Sequence, residues 1–225
     1  MAGLWHLNDL ELLSDLEPEG MQALERAAQK QTFDAGETVF RPSAEPRSVY
    51  LLMEGAIRIY RLSDKGAEAT LGYVKPGEVF GELAAVTEFA RESYAEAAAH
   101  SVVWRLPIGL FRELLGSKPG LAQHVSLQLG NRLKSIERRV EGLVFHDARI
   151  RLALILHELA DHFGLQKGTA VEIDGDFTQA ELATLVGCTR QTLNQALHEL
   201  EAQGLIEMRR RRVILPEPEK LRGSI

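Results

Sequence analysis

A single cysteine, Cys188, is all that the 225-residue chain carries. That excludes an internal disulfide and any four-cysteine zinc or iron–sulfur centre within one chain. Long apolar runs are missing too, and nothing approaches the roughly eighteen uninterrupted residues of a membrane span. The N-terminal stretch "MAGLWHLNDLELLSDLEPEG" has acids but no basic region, so it does not read as a signal peptide. The expected location is therefore the cytoplasm, with no membrane partner. A net basic charge is also lacking: the balance is −6, which argues against a general nucleic-acid coat. It leaves room for a local basic patch, because charges are screened beyond about 8 Å in physiological salt. His6, His100, His124, His146 and His157 stand singly, and the strand-rich region offers only His100. A catalytic metal pocket needs clustered His and carboxylate ligands, so no metal site and no enzyme are expected. What remains, 45% hydrophobic and 26% charged, suits one large globular domain or two smaller ones.

Along the chain, residues from about Leu7 to Lys30 carry helical periodicity, which "EPEG" divides into two short helices. From Thr32 to Leu106 the texture changes to β-prone runs, "TVF", "SVYLLM", "AIRIYRL", "ATLGYV" and "SVVWRL", separated by turn residues. Many short, evenly spaced strands predict an antiparallel sandwich or jelly roll. "LPIGLFRELLGSKPG" reads as a short helix closing that unit. The longest helical run follows, from about Leu121 to Leu143. In it Leu129, Leu133, Ile136, Val140 and Leu143 alternate spacings of four and three, the seam of a dimeric coiled coil. "FHDARIRLALILHELADHFG" predicts a further helix, and "LQKGTAVEIDGDF" a loop with one short strand.

"DFTQAELATLVGCTRQTLNQALHELEAQGLIEMRRRRVILPE" is the most specific stretch. Thr178 with Glu181 has capping-box spacing. Gly187 suits the left-handed turn between two short helices, and Thr189 can cap the second, Arg190 to Gln203. This is helix-turn-helix spacing, and "LIEMRRRRVIL" adds a two-stranded wing. Early residues of such a second helix face the DNA major groove. Arg190 suits guanine, Gln191 and Gln195 suit adenine, and Asn194 lies on the same helix. Thr178, Thr189, Arg209, Arg210 and Arg211 complete the expected DNA-binding set, the arginines through phosphates. Cys188, in the turn, is expected to be structural.

One more stretch looks built to hold a ligand: "KPGEVFGELAAVTEFARESYAEA", with two Gly-Glu pairs and a following arginine. Glycines admit close backbone approach, while a carboxylate and a guanidinium suit a sugar hydroxyl and a phosphate.

Taken together, "FDAGETVFRPSAEPRSVYLLMEGAIRIYRL", "PGEVFGEL" and "VGCTRQTLNQALHELEAQGLI" resemble the catabolite-activator and fumarate-nitrate-regulator superfamily of bacterial transcription regulators. The resemblance covers nearly the whole chain. It implies an α+β protein: a cyclic-nucleotide-binding-type β-roll (residues 1–118), a long dimerisation helix (119–145) and a C-terminal winged helix-turn-helix (146–225). It also implies a homodimer on a near-palindromic double-stranded DNA site, with RNA polymerase as partner. The implied effector pocket holds Gly81, Glu82, Leu83, Arg91, Glu92 and Ser93. In the family's cyclic-AMP binders the glutamate matching Glu82 bonds the ribose hydroxyl, and the arginine matching Arg91 pairs with the cyclic phosphate. Two departures argue against cyclic AMP. Glu92 stands where a serine or threonine usually meets the phosphate, and like charges repel. Ile136 and Glu137 stand where a Thr-Ser pair meets the adenine. No cofactor is assigned: a nucleotide effector fits the cassette frame, and cyclic AMP fits it poorly. The alternative reading is a regulator of the same family that does depend on cyclic AMP or another nucleotide.

Overall fold

A computed structural model describes residues 18–42, 45–87, 90–173, 177–209 and 212–224. Of the sequence expectations, the first N-terminal helix and the wing residues Arg210 and Arg211 lie outside the described residues. The chain divides into two compact units. One comprises residues up to Arg61 with Leu71–Leu133; the other comprises Leu62–Thr70 with Lys134 onward.

The first unit opens with helix α1 (Pro18–Ala27). The "EPEG" break is thus a helix start, since proline suits the first helical turn, where its missing N–H goes unneeded. Strands β1 (Gln29–Phe33), β2 (Thr38–Phe40), β3 (Ser48–Glu54), β4 (Ile57–Leu62), β5 (Glu68–Val74) and β6 (Val79–Phe80) follow. The short helix α2 (Leu83–Val86), β7 (Tyr94–Ala97), β8 (Ser101–Pro107) and α3 (Ile108–Ser117) complete the β-roll. Two antiparallel four-stranded sheets result, in the orders β1-β8-β3-β6 and β2-β7-β4-β5. Central strand β3 is buried on both faces, as its unbroken "VYLL" run requires. Val49 and Leu51 pack with Leu24, Phe111, Leu114, Leu121 and Val125 from the helices. Tyr50 and Leu52 point the other way, into a cluster with Ile57, Val74, Phe80, Ala95 and Val103 that joins the two sheets.

The expectation that helix continues to Lys30 is corrected: β1 begins at Gln29 and pairs with β8 from Gln29↔Arg105 to Phe33↔Ser101. It is an edge strand with the polar sequence "QKQTF", so it carries little apolar periodicity.

Helix α4 runs from Pro119 to Phe145. Asp147 then caps α5 (Ala148–Phe163), accepting a hydrogen bond from the Ile150 N–H at 2.9 Å. Next come β9 (Gly164–Lys167), β10 (Ala170–Ile173), α6 (Gln179–Val186), α7 (Arg190–Ala202), β11 (Glu207–Arg209), β12 (Arg212–Leu215) and α8 (Pro218–Gly223). The sheet order β11-β12-β10-β9 shows that the wing belongs to a four-stranded sheet, not an isolated hairpin. The expected loop at "LQK" is the exposed edge strand β9, another case of weak patterning. Leu152, Leu156, Leu182, Leu193, Leu197, Leu200, Val213 and Leu215 are buried and form the core expected of a helix-turn-helix. No helix among the described residues is long and apolar enough to cross a membrane.

Candidate functional site

The reading head follows from its caps. The Thr178 side chain accepts from the Glu181 N–H at 3.2 Å, while the Glu181 carboxylate accepts from the Thr178 N–H at 2.7 Å. This reciprocal capping box starts α6. Gly187 ends it at φ 68°, in the left-handed region. The Cys188 N–H donates to the Ala183 carbonyl at 3.0 Å and the Gly187 N–H to that of Thr184 at 3.2 Å. Those two bonds are the helix-closing pair of a Schellman turn. Cys188 is half-buried, and burial pushes its thiol pKa up against the pull of Arg151. That suits an inert structural thiol. Thr189 caps α7, accepting from the Thr192 N–H at 3.2 Å.

Arg190, Gln191 and Gln195 are exposed on the first turns of α7, and Asn194 is half-buried. The Gln195 amide donates to Glu199 at 3.0 Å, which lays it along the helix. On the wing, Arg209 pairs with Glu207 at 2.9 Å. Arg212 leans instead on Glu172, which also takes Lys167. Hydrogen bonds from Lys167 and Arg212 hold the Glu172 carboxyl below the usual carboxylate range.

The cassette has a different character. Gly81 adopts φ 74°, and a Cβ there would stand 3.0 Å from Arg91 Nη2 and 3.3 Å from the Phe40 ring. A side chain at this position would be strained by that φ and would press on the arginine that closes over it. The Arg91 guanidinium lies 4.0 Å above the centre of the Phe40 ring, beside Tyr50, and donates to the Ser48 carbonyl. Its Nε has no hydrogen-bond partner among the described residues. Glu82 is buried at 2% exposure and accepts from Arg132 Nη1 at 2.8 Å. Burial raises the Glu82 pKa, and the Arg132 charge opposes that rise. Leu83 is exposed and Ser93 half-buried.

One expectation is corrected here. Glu92 is not turned toward Arg91; it is exposed and paired with Arg61. A cation on the neighbouring strand offers it a partner in water, which is cheaper than an unpaired place in the pocket.

On α4, Leu121 and Val125 are buried in the sensor core, and Leu129 packs half-buried against the same cluster. Leu133, Ile136, Val140 and Leu143 are exposed. Two residues escaped the sequence reading. The Gln128 side chain donates to the Val79 carbonyl at 2.6 Å and accepts from its N–H at 3.1 Å. Arg132 Nη2 donates to the same carbonyl at 2.7 Å. The signal was present: 121, 125, 128 and 132 form a second stripe at spacings of four, three and four. Polar residues that continue an apolar stripe mark an inward polar contact.

A β-roll and a capped helix-turn-helix with a sheet-backed wing, in one chain, are the parts of a DNA-binding transcription regulator. The comparisons agree. The cyclic nucleotide-binding domain family matches residues 30–118, and the Crp-like helix-turn-helix domain family matches residues 150–223. A crystal structure of a CRP/FNR-family transcriptional regulator from Thermus thermophilus is 30% identical, covering 87% of this chain and 97% of that one, with a TM-score of 0.73. The chain belongs to the CRP/FNR family of transcriptional regulators. A CRP-like cAMP-activated global transcriptional regulator of Mycobacterium tuberculosis is 29% identical, covering 93% of this chain and 94% of that protein. A global nitrogen regulator of Synechococcus elongatus is also 29% identical, covering 84% of this chain and 86% of that protein.

Proposed function

We propose that the protein is a homodimer that reads a near-palindromic DNA site and meets RNA polymerase there, with an effector cassette that does not depend on cyclic AMP. The exposed row Leu133, Ile136, Val140 and Leu143 supports the dimer, because an apolar seam on a long helix calls for a second copy. The exposed start of α7 supports base reading by Arg190 and Gln191, with Thr178, Thr189 and Arg209 on the backbone. The relatives do not decide the effector, since proteins named for cAMP activation and for nitrogen regulation both share 29% identity with this chain. One observation carries the effector reading. Arg132 of the long helix is bonded to Glu82 of the cassette and to the Val79 carbonyl beneath it. The link from cassette to helix that a nucleotide could supply is thus made by the chain itself. A ligand shifts an equilibrium only by its differential affinity for two states.

A cyclic-nucleotide-dependent regulator is the second reading. Two observations favour it: Arg61 removes the like-charge obstacle of Glu92, and Arg91 Nε is buried without a hydrogen-bond partner among the described residues, a donor that an anion could satisfy.

The test is a titration of a palindromic probe with and without millimolar cyclic AMP. We expect less than about a tenfold change in affinity, or ~1.4 kcal/mol of coupling. A larger gain establishes the second reading. For the dimer, Ile136→Asp should shift sedimentation from dimer toward monomer, because it desolvates an unpaired carboxylate in the seam. An unchanged dimer removes the seam.

A further inference from the structure

Arg151, on the first turn of α5, makes a set of contacts that neither the core nor the DNA face requires. Its guanidinium reaches two other elements of the same unit. Nη1 donates to the His146 carbonyl, just past the end of the long helix, at 2.8 Å. Nε donates to the Val186 carbonyl at 2.8 Å and Nη2 to the Gly187 carbonyl at 3.3 Å, both at the turn of the helix-turn-helix. A cation is favoured at a helix C-terminus, where carbonyls lack partners.

The surroundings tighten this arrangement. A Cβ on Gly142 would lie 3.5 Å from Arg151 Cγ, so the long helix runs close along the arginine stem. A Cβ on Gly187 would lie 2.8 Å from Leu143 Cδ2, so the helix-turn-helix turn sits against a residue of the exposed seam. Farther from the bend, Glu158 of α5 takes Arg139 at 2.6 Å and Ser135 at 3.2 Å from α4. The α4–α5 elbow is therefore held at its vertex and again along its arms.

We propose that Arg151 is a positioning residue for DNA recognition: by joining the end of the long helix to the helix-turn-helix turn, it fixes the angle of the reading helix and so sets the half-site spacing the dimer accepts. The inference rests on the dimeric DNA-binding reading above. Its physical basis is geometric. Two reading helices on one face of DNA must lie one helical turn, about 34 Å, or a multiple of it apart. A small tilt at the elbow is magnified at the far end of the reading helix. A planar guanidinium that fans to carbonyls of two elements resists that tilt, whereas an ammonium is a compact charge on a flexible stem without that rigid fork.

The experiment uses the full-length protein and the palindrome it selects best from a random-sequence DNA library. Affinity is measured on that palindrome, on a copy with one half-site scrambled, and on copies with one base pair added or removed at the centre. Arg151→Gln should lose about tenfold on the palindrome, the scale of hydrogen bonds from a charged donor, and less than about twofold on the single half-site. Its penalty for the altered spacings should shrink. Arg149→Gln removes the same charge nearby and should leave all these values unchanged. Equal losses on palindrome and half-site would overturn the proposal, because Arg151 would then only support folding of the reading head. An unchanged palindrome affinity would overturn it as well. Should Arg151→Gln melt below the assay temperature, Arg151→Lys is read in the same assay, with a smaller loss and the same split expected. A wild-type protein that binds palindrome and half-site equally would remove the dimer reading itself, and this inference with it.

Discussion

The cassette and the reading helix both collect polar side chains, yet they use them in opposite ways. In the cassette, Glu82 is buried and bonded to Arg132, and Arg91 is folded over Phe40 onto the Ser48 carbonyl. At the start of α7, Arg190 and Gln191 are exposed, while the bonds that hold the turn come from caps and backbone. Polar groups already bonded within the protein contribute to its stability, and a ligand must compete for them. Exposed groups contribute little to stability and remain available to a partner. The same residue types thus mean different things in the two places, and burial is the discriminator.

Three substitutions would break or sharpen this contrast. Arg132→Ala leaves the Glu82 carboxylate buried without its main partner. We expect a loss of about 3–5 kcal/mol in urea unfolding, toward the lower end because Arg132 is partly exposed. An unchanged midpoint would mean that Glu82 relaxes to solvent and that the cassette does not depend on the pair. Arg190→Ala should do the reverse. Folding stability stays within about 0.5 kcal/mol, as for surface changes, while operator binding loses roughly 1–3 kcal/mol and base preference flattens at one position per half-site. Equal losses on operator and scrambled DNA would reassign Arg190 to phosphate. Thr178→Ala should have the smallest effect, near 1 kcal/mol of stability, by removing half of the capping box. If thermal unfolding is unchanged while DNA affinity falls, Thr178 acts on the DNA and not on the fold.

Several elements were legible from local chemistry. The helix-turn-helix could be read because each of its parts is set within a few residues: Thr178 with Glu181, Gly187 at φ 68°, Thr189 as a cap. The β3 run "VYLL" was legible because a strand buried on both faces leaves a continuous apolar signature. β1 and β9 were not, since edge strands exposed to water carry no such mark. The pairing of Glu92 was not legible, because its partner, Arg61 on β4, lies 31 residues away.

The sequence by itself determined the order of the domains, the caps and turn of the reading head, the apolar seam and the residue types of the cassette. These rest on interactions between near neighbours in the chain, or on periodicities that a single helix or strand imposes. Only the tertiary structure decided which partner each charge meets: Glu82 with Arg132 across 50 residues, Arg91 with the Ser48 carbonyl across 43, Arg151 with the Val186 carbonyl across 35. A charged side chain can choose among several partners of suitable sign, and no local pattern ranks them. The packing of the elements ranks them, by burying some candidates together and leaving others in water.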